Sequence, residues 1–162
     1  MEQQQLVIDR LKSLDIPFEF VRHVAVFTID EMVATGIEDV GEVCKNLFLR
    51  DAKGKKHFLV LIPGHKQANL ALIAKKLQSG NLSFASEERL MRYLGLTKGA
   101  VTPFGVINDS DRAVTLVIDA EIEGRERLGF HPNVNTATVF LSFADLMKFI
   151  NSCGNSAVTL SL

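Results

Sequence analysis

What this chain of 162 residues lacks narrows its chemistry before any motif is considered. It has two cysteines, Cys44 and Cys153, too few for a disulfide framework, so a reducing cytoplasm is the expected setting. The opening residues Met1-Glu2-Gln3-Gln4-Gln5 lack the basic region and apolar run of a secretory signal. No apolar run is long enough to span a bilayer, so no membrane role is expected. An excess of charge is missing as well: 18 Lys plus Arg stand against 19 Asp plus Glu, for a net charge of −1. That balance argues against holding nucleic acid by broad phosphate neutralisation, and any RNA contact has to be local. The four histidines, His23, His57, His65 and His131, show no metal-ligand spacing with one another or with the cysteines, so no metal is expected. P-loop, dinucleotide fingerprint and serine nucleophile elbow are all missing.

What is present is an ordinary globular balance, 47% hydrophobic and 23% charged, in one domain spanning 1–162. A chain of this length buries roughly 70% of the surface its unfolded form exposes. Leu6, Val7, Leu11 and Leu14 recur at helical spacing until Pro17, and an extended run follows from Phe18 to Val24. Thr28 with Glu31 predicts a capped helix over 29–35 that stops at Gly36. Asn46–Arg50 and His57–Ile62 read as a hairpin around the polar turn Asp51–Lys55. Ala68–Leu77 is helical in period and ends at Ser79-Gly80; Ser86 caps a short helix to Tyr93, with Gly95 behind it. Phe104–Asn108, Val114–Glu121 and Thr136–Leu141 read as strands, Ser142 with Asp145 caps a last helix to Asn151, and the tail from Ser152 is expected to be loosely held. Helices and strands thus mix in one α+β domain.

Three separated stretches suit an oxygen-rich ligand better than they suit packing: Cys44-Lys45-Asn46, Lys98 to Gly105, and Gly129 to Asn135. Lys45 sits at the entrance to an apolar strand, where a cation withdrawn from water needs an anion or a set of oxygens; taken alone it is a solvated lysine. Asn46 brings a donor and an acceptor, or simply caps the strand start. Gly99-Ala100-Val101-Thr102-Pro103 is either a plain turn or a fixed loop whose amides face a carbonyl or a ribose hydroxyl. His131, between Phe130 and Pro132, is either a packed loop residue or a pocket residue. The acidic residues Asp109, Asp111, Asp119, Glu121 and Glu123 read as a solvated strand edge. Most of the basic groups read as solvated faces, with Arg89, Arg92 and Lys98 set apart because they lead into the Gly-Pro loop.

Lys45 before an apolar strand, Gly99-x-x-x-Pro103 followed by Phe104-Gly105, and Gly129-Phe130-His131-Pro132 before Thr136-Ala137-Thr138, in that order, resemble the YbaK-like, or prolyl-tRNA synthetase editing-domain, family. The likeness runs from about Leu6 to Ile150 and is nearest the family's free-standing branch. It implies a mixed sheet curled into a barrel-like core surrounded by helices, no metal and no cofactor. It also implies hydrolysis of a mischarged aminoacyl ester, Ala-tRNA(Pro) above all, with Cys-tRNA(Pro) and Ser-charged tRNA as alternatives. A non-catalytic module that senses aminoacyl-tRNA or a free amino acid is the reading from another class. The partners implied are the acceptor end of tRNA and, beyond it, prolyl-tRNA synthetase. Lys45 matches the family's functional lysine, Gly99 to Pro103 its loop around the ester and terminal adenosine, and His131 a pocket histidine of the alanine-specific branch. Asn46 is a neighbour in that pocket, and Ile29, Met32 and Phe130 are the expected apolar walls. The logic is a size sieve: a site built for proline cannot strongly reject the smaller alanine, so a second site admitting only the smaller residue has to correct the error.

Overall fold

A computed structural model describes residues 2–162. In chain order it comprises α1 (Glu2–Ser13), β1 (Glu19–Arg22), α2 (Ile29–Ala34), a 3-10 turn (Ile37–Asp39), β2 (Glu42–Asp51), β3 (His57–Pro63), α3 (Leu70–Leu77), β4 (Leu82–Phe84) and α4 (Glu87–Leu94). A 3-10 helix (Pro103–Asn108), β5 (Val114–Asp119), a 3-10 turn (Ala120–Ile122), β6 (Leu128–Phe130), β7 (Ala137–Leu141), α5 (Phe143–Cys153) and β8 (Ala157–Leu160) complete it. The α+β class holds, and the sheet is mixed and open. Its order is β1-β7-β6-β2-β3-β5-β8, with β4 pairing β2 off that path.

β3 explains the layering. All seven of its residues are buried, and it lies between antiparallel β2 and parallel β5. Alternation along it sends Leu59 and Leu61 to a large core and Phe58, Val60 and Ile62 to a smaller one on the opposite face. α1, α4 and α5 cover the large core through Val7, Leu11, Leu90, Leu94, Leu146, Phe149 and Ile150, and α3 covers the small one through Ile73. The helix starts follow the sequence. Thr28, Asn69, Ser86 and Ser142 each accept a hydrogen bond from the amide three residues on.

Several expectations need correction. Phe104–Asn108 is a 3-10 helix, not a strand: Pro103 opens it, Thr102 accepts from the Phe104 amide, and Phe104 packs edge-on to Phe130 and Phe149. The fifth strand stops at Asp119, whose carboxylate accepts from the Glu121 amide and turns the chain. The tail is not loose, since Ala157–Leu160 adds a parallel strand to β5. Nor are the acidic residues all solvated. Asp109 is 6% exposed and Asp119 1%, each kept polar by partners. Asp109 accepts from the Ala113 and Val114 amides and from Asn155, and Asp119 pairs with Lys66 at 2.7 Å. Arg89 turns away from the Gly-Pro loop to the Gly54 carbonyl and His57.

One edge of β2 determines where the site lies. Its start pairs β6 through Glu42 and Val43, its end pairs β4 through Leu49 to Asp51, and the stretch between has a neighbouring strand only on the β3 side. The Glu42 amide donates to Arg127 and the Phe48 carbonyl accepts from Ala85. Even-numbered residues of β2 therefore aim their backbone polar groups away from β3, and Asn46 aims its N–H and C=O into the gap.

Candidate active site

A cavity of about 270 Å³ opens in that gap, lined by residues of all three singled-out stretches and of α2. Lys45, Asn46, Gly99, Val101, Phe130, His131, Ile29 and Met32 all line it. Ala100, Thr102 and Pro103 do not: all three are buried behind the loop, with the Ala100 amide already donating to Thr97. The amides of Phe104 and Gly105 return to Thr102. Those of Gly99 and Val101 have no acceptor among the described residues and stand at the cavity wall.

Strand alternation separates the two polar side chains of β2. Lys45 leaves one face of the sheet and Asn46 the other, so they reach the cavity from opposite sides. The Lys45 ammonium donates to the Lys66 carbonyl at 2.8 Å, which holds its position and leaves further N–H donors for an incoming oxygen. Lys66 is itself tied to the buried Asp119 carboxylate and to the Leu162 carbonyl. The Asn46 amide nitrogen donates to the Cys44 carbonyl at 3.3 Å, whereas its Oδ1 is buried with no donor. An acceptor left unsatisfied at a cavity wall calls for a donor from a ligand or a water. Cys44 is buried next to it, and burial foremost, aided by the charge of Glu42, pushes its thiol up to about 12, so it packs and does not react.

His131 donates from Nδ1 to the Ala137 carbonyl at 2.9 Å, because a carbonyl can only accept; Nε2 then remains an acceptor on a ring that lines the cavity. Burial pulls its pKa below the ordinary value, the Ala137 carbonyl opposes this, and nearby His23 adds to the lowering. His23 likewise donates from Nδ1 to the Val24 carbonyl, and its Nε2 lies 2.9 Å from the Thr138 hydroxyl. Gly99 has φ +90° and lies under Phe27; an added Cβ would come within 2.5 Å of that ring. Sequence reasoning missed Phe27, Val26 and Thr138 as lining residues, because their positions depend on β1 and the chain after it folding against 135–138. It also missed the Lys66–Asp119 pair, whose partners stand 53 positions apart. Among the described residues no three His, Cys, Asp or Glu side chains gather to hold a metal.

At a sheet edge the cavity thus gathers a lysine held by a backbone carbonyl, two loop residues whose amides have no acceptor among the described residues, and a histidine with one ring nitrogen already bonded. The chain matches the aminoacyl-tRNA editing domain over residues 23–149 and belongs to that family, a class of aminoacyl-tRNA deacylases. Within the class it is similar along its whole length to Prolyl-tRNA editing protein ProX of Acetoanaerobium sticklandii, with 46% identity over 162 residues covering 100% of this chain and 99% of the relative. It is also 38% identical over 156 residues to the Prolyl-tRNA synthetase associated domain-containing protein 1 of Bos taurus, covering 94% of this chain and 91% of that one. The crystal structure of a candidate trans-editing enzyme for prolyl tRNA synthetase shares the fold, with TM-score 0.74 at 17% identity and coverage of 100% and 98%.

Proposed function

We propose that the chain acts in trans, in the cytoplasm, on Ala-tRNA(Pro) released by prolyl-tRNA synthetase, and hydrolyses the ester to alanine and free tRNA. The observation that carries this reading is the composition of the 270 Å³ cavity: apolar walls from Met32, Ile29 and Phe130 around a polar mouth made by Lys45, Asn46, Gly99 and Val101. The aminoacyl ester and part of the terminal ribose have to share that volume, which leaves little beyond a methyl group for the side chain. The ester carbonyl lies against the Lys45 ammonium and the loop amides, which stabilise the oxyanion as it develops. Asn46 Oδ1 accepts a hydrogen bond from the substrate's α-ammonium. Water, positioned by the vicinal ribose hydroxyl, attacks, so the protein need not supply a nucleophile. Neutral His131 keeps an acceptor at the amino-acid end and limits its size.

Single-turnover hydrolysis of Ala-, Cys-, Ser- and Pro-tRNA, measured side by side, tests this. Ala-tRNA is expected to be cleaved fastest and Pro-tRNA slowest. His131→Ala is expected to narrow the Ala-to-Pro ratio by about tenfold, since one methylene of room is worth about 1–3 kcal/mol. Cleavage of Cys-tRNA ahead of Ala-tRNA would transfer the assignment to the thiol substrate, and absence of turnover on all four would leave a binding module.

A further inference from the structure

α1 carries one polar side chain on the face that covers the core. Gln3 stands one turn before Val7 and two turns before Leu11, both fully buried, so the helix turns Gln3 toward the interior with them. There its Oε1 accepts two hydrogen bonds from segments far apart in sequence, from Asn108 Nδ2 at 2.7 Å and from Asn133 Nδ2 at 3.3 Å. Each donor belongs to the stem of one cavity wall. Asn108 also donates to the Leu94 carbonyl at 2.9 Å and so clasps the two ends of the segment that carries Gly99 and Val101. Asn133 lies two residues past His131, is 7% exposed, and holds a left-handed conformation with φ +61°. Two residues further on, Asn135 accepts from the Val26 amide at 3.2 Å and donates from Nδ2 to the Val26 carbonyl at 3.0 Å, so the same loop also holds the wall made by Val26 and Phe27. Asn133 makes no other side-chain hydrogen bond among the described residues, and its Oδ1 is buried without a donor. Neither Gln3 nor the two asparagines that bond to it line the cavity of the site.

We propose that Gln3 is a positioning residue for specificity: one acceptor that fixes the Gly-Pro loop and the His131 loop at a single separation and so sets how large an aminoacyl group the cavity admits. The proposal rests on the deacylase reading and adds a control on its size sieve from outside the site. Gly99 and Val101 come from one loop and Phe130 and His131 from the other, and all four line the same cavity. A pyrrolidine ring fits there only if the walls move apart, and a bridge between their stems resists that movement. The chemistry of the bridge is specific. Both bonds run into an acceptor, so a carboxylate at position 3 takes the place of Gln3, whereas a thioether of similar length does not. A role confined to packing would give the opposite order, because Met keeps the apolar contacts of the side chain and Glu adds a charge.

Two measurements test the bridge and keep its fate separate from that of the deacylase reading. In amide NMR spectra of the full chain without ligand, Gln3→Met is expected to shift the Gly99, Val101 and His131 resonances, whereas Gln3→Glu leaves them near their parent positions. The second measurement is single-turnover hydrolysis of Ala-tRNA and Pro-tRNA. Gln3→Met is expected to narrow the Ala-to-Pro rate ratio by about fivefold, the size of one neutral hydrogen bond, and Gln3→Glu to keep the parent ratio. Asn133→Gly suits the positive φ and removes the donor from the other side; it should narrow the ratio equally, and the two changes together should not compound. A ratio unchanged in Gln3→Met, a ratio narrowed equally in Gln3→Glu, or a fall of both rates by one common factor would overturn the proposal. Loop shifts in a Gln3→Met protein whose parent cleaves neither ester would retain the bridge and remove the deacylase reading; cleavage with a ratio indifferent to Gln3 and Asn133 would do the reverse.

Discussion

At the residue scale the site turns on how few groups are left unspent. Lys45 keeps N–H donors beyond its bond to Lys66, and Asn46 keeps a buried acceptor. Lys45→Ala is expected to leave the fold intact, because the side chain is only part-buried, and to lower single-turnover deacylation by at least about tenfold. An unchanged rate would remove Lys45 from the chemistry. The histidines set a pH dependence of stability. Burial foremost, then the Arg89 guanidinium, holds the His57 pKa below its ordinary 6.5, and burial holds His131 below it too. As pH falls from about 6.5 toward the folded-state pKa values, the unfolded chain takes up protons that the folded chain refuses, so stability present above that pH is lost. The melting temperature should therefore fall between pH 7 and pH 5, and fall less in His57→Phe. Equal slopes in parent and variant would show that His57 is not a source of the effect.

At the scale of elements, β2 is shared between two partners on one edge, and its unpaired middle makes the mouth of the site. Gly99 and Val101, on the loop after Lys98, line the cavity at that mouth. Gly99→Ala faces two penalties, a positive φ and a Cβ at 2.5 Å from Phe27. Phe27 is 61% exposed and free to swing, so the conformational cost stays near 1 kcal/mol while the displaced ring and loop amides disturb the cavity. Deacylation is expected to drop by more than tenfold with a melting temperature lowered only a few degrees. A stability loss as large as the activity loss would mark the loop as an ordinary turn.

At the scale of the whole molecule, the site is braced from the far end of the sheet. β8 lies beside β5, and Lys66 connects the Leu162 carbonyl and buried Asp119 to the turn whose carbonyl holds Lys45. Lys66→Met leaves Asp119 as an uncompensated buried carboxylate and should cost about 3 kcal/mol in urea unfolding. Asp119→Asn in the same chain should recover part of that loss, as removal of a stranded charge requires. A cost under about 1 kcal/mol would place the pair with ordinary surface ion pairs.

Short-range rules make much of this molecule legible in its sequence. The Thr28, Ser86 and Ser142 caps are local hydrogen bonds, and each marks a helix that forms. The hairpin around Asp51–Lys55 and the buried run of β3 are patterns within one segment, as are Lys45, Gly99 and His131 as unusual residues in their settings. What sequence does not supply is pairing over distance. β4 and β6 have three residues each, too few for a period, and are strands only because β2 and β7 offer edges. β8 has the pattern of a polar tail because half its residues face outward; the edge of β5 orders it. Phe104–Asn108 carries the apolar content of a strand, but Pro103 and the contacts of Phe104 with Phe130 and Phe149 make it a helix. The site depends on the same distinction. Sequence singled out Lys45, Asn46, Gly99 and His131 as unusual in their settings, and the tertiary structure alone decided that they meet, because it splits one edge of β2 between β6 and β4 and leaves the gap open.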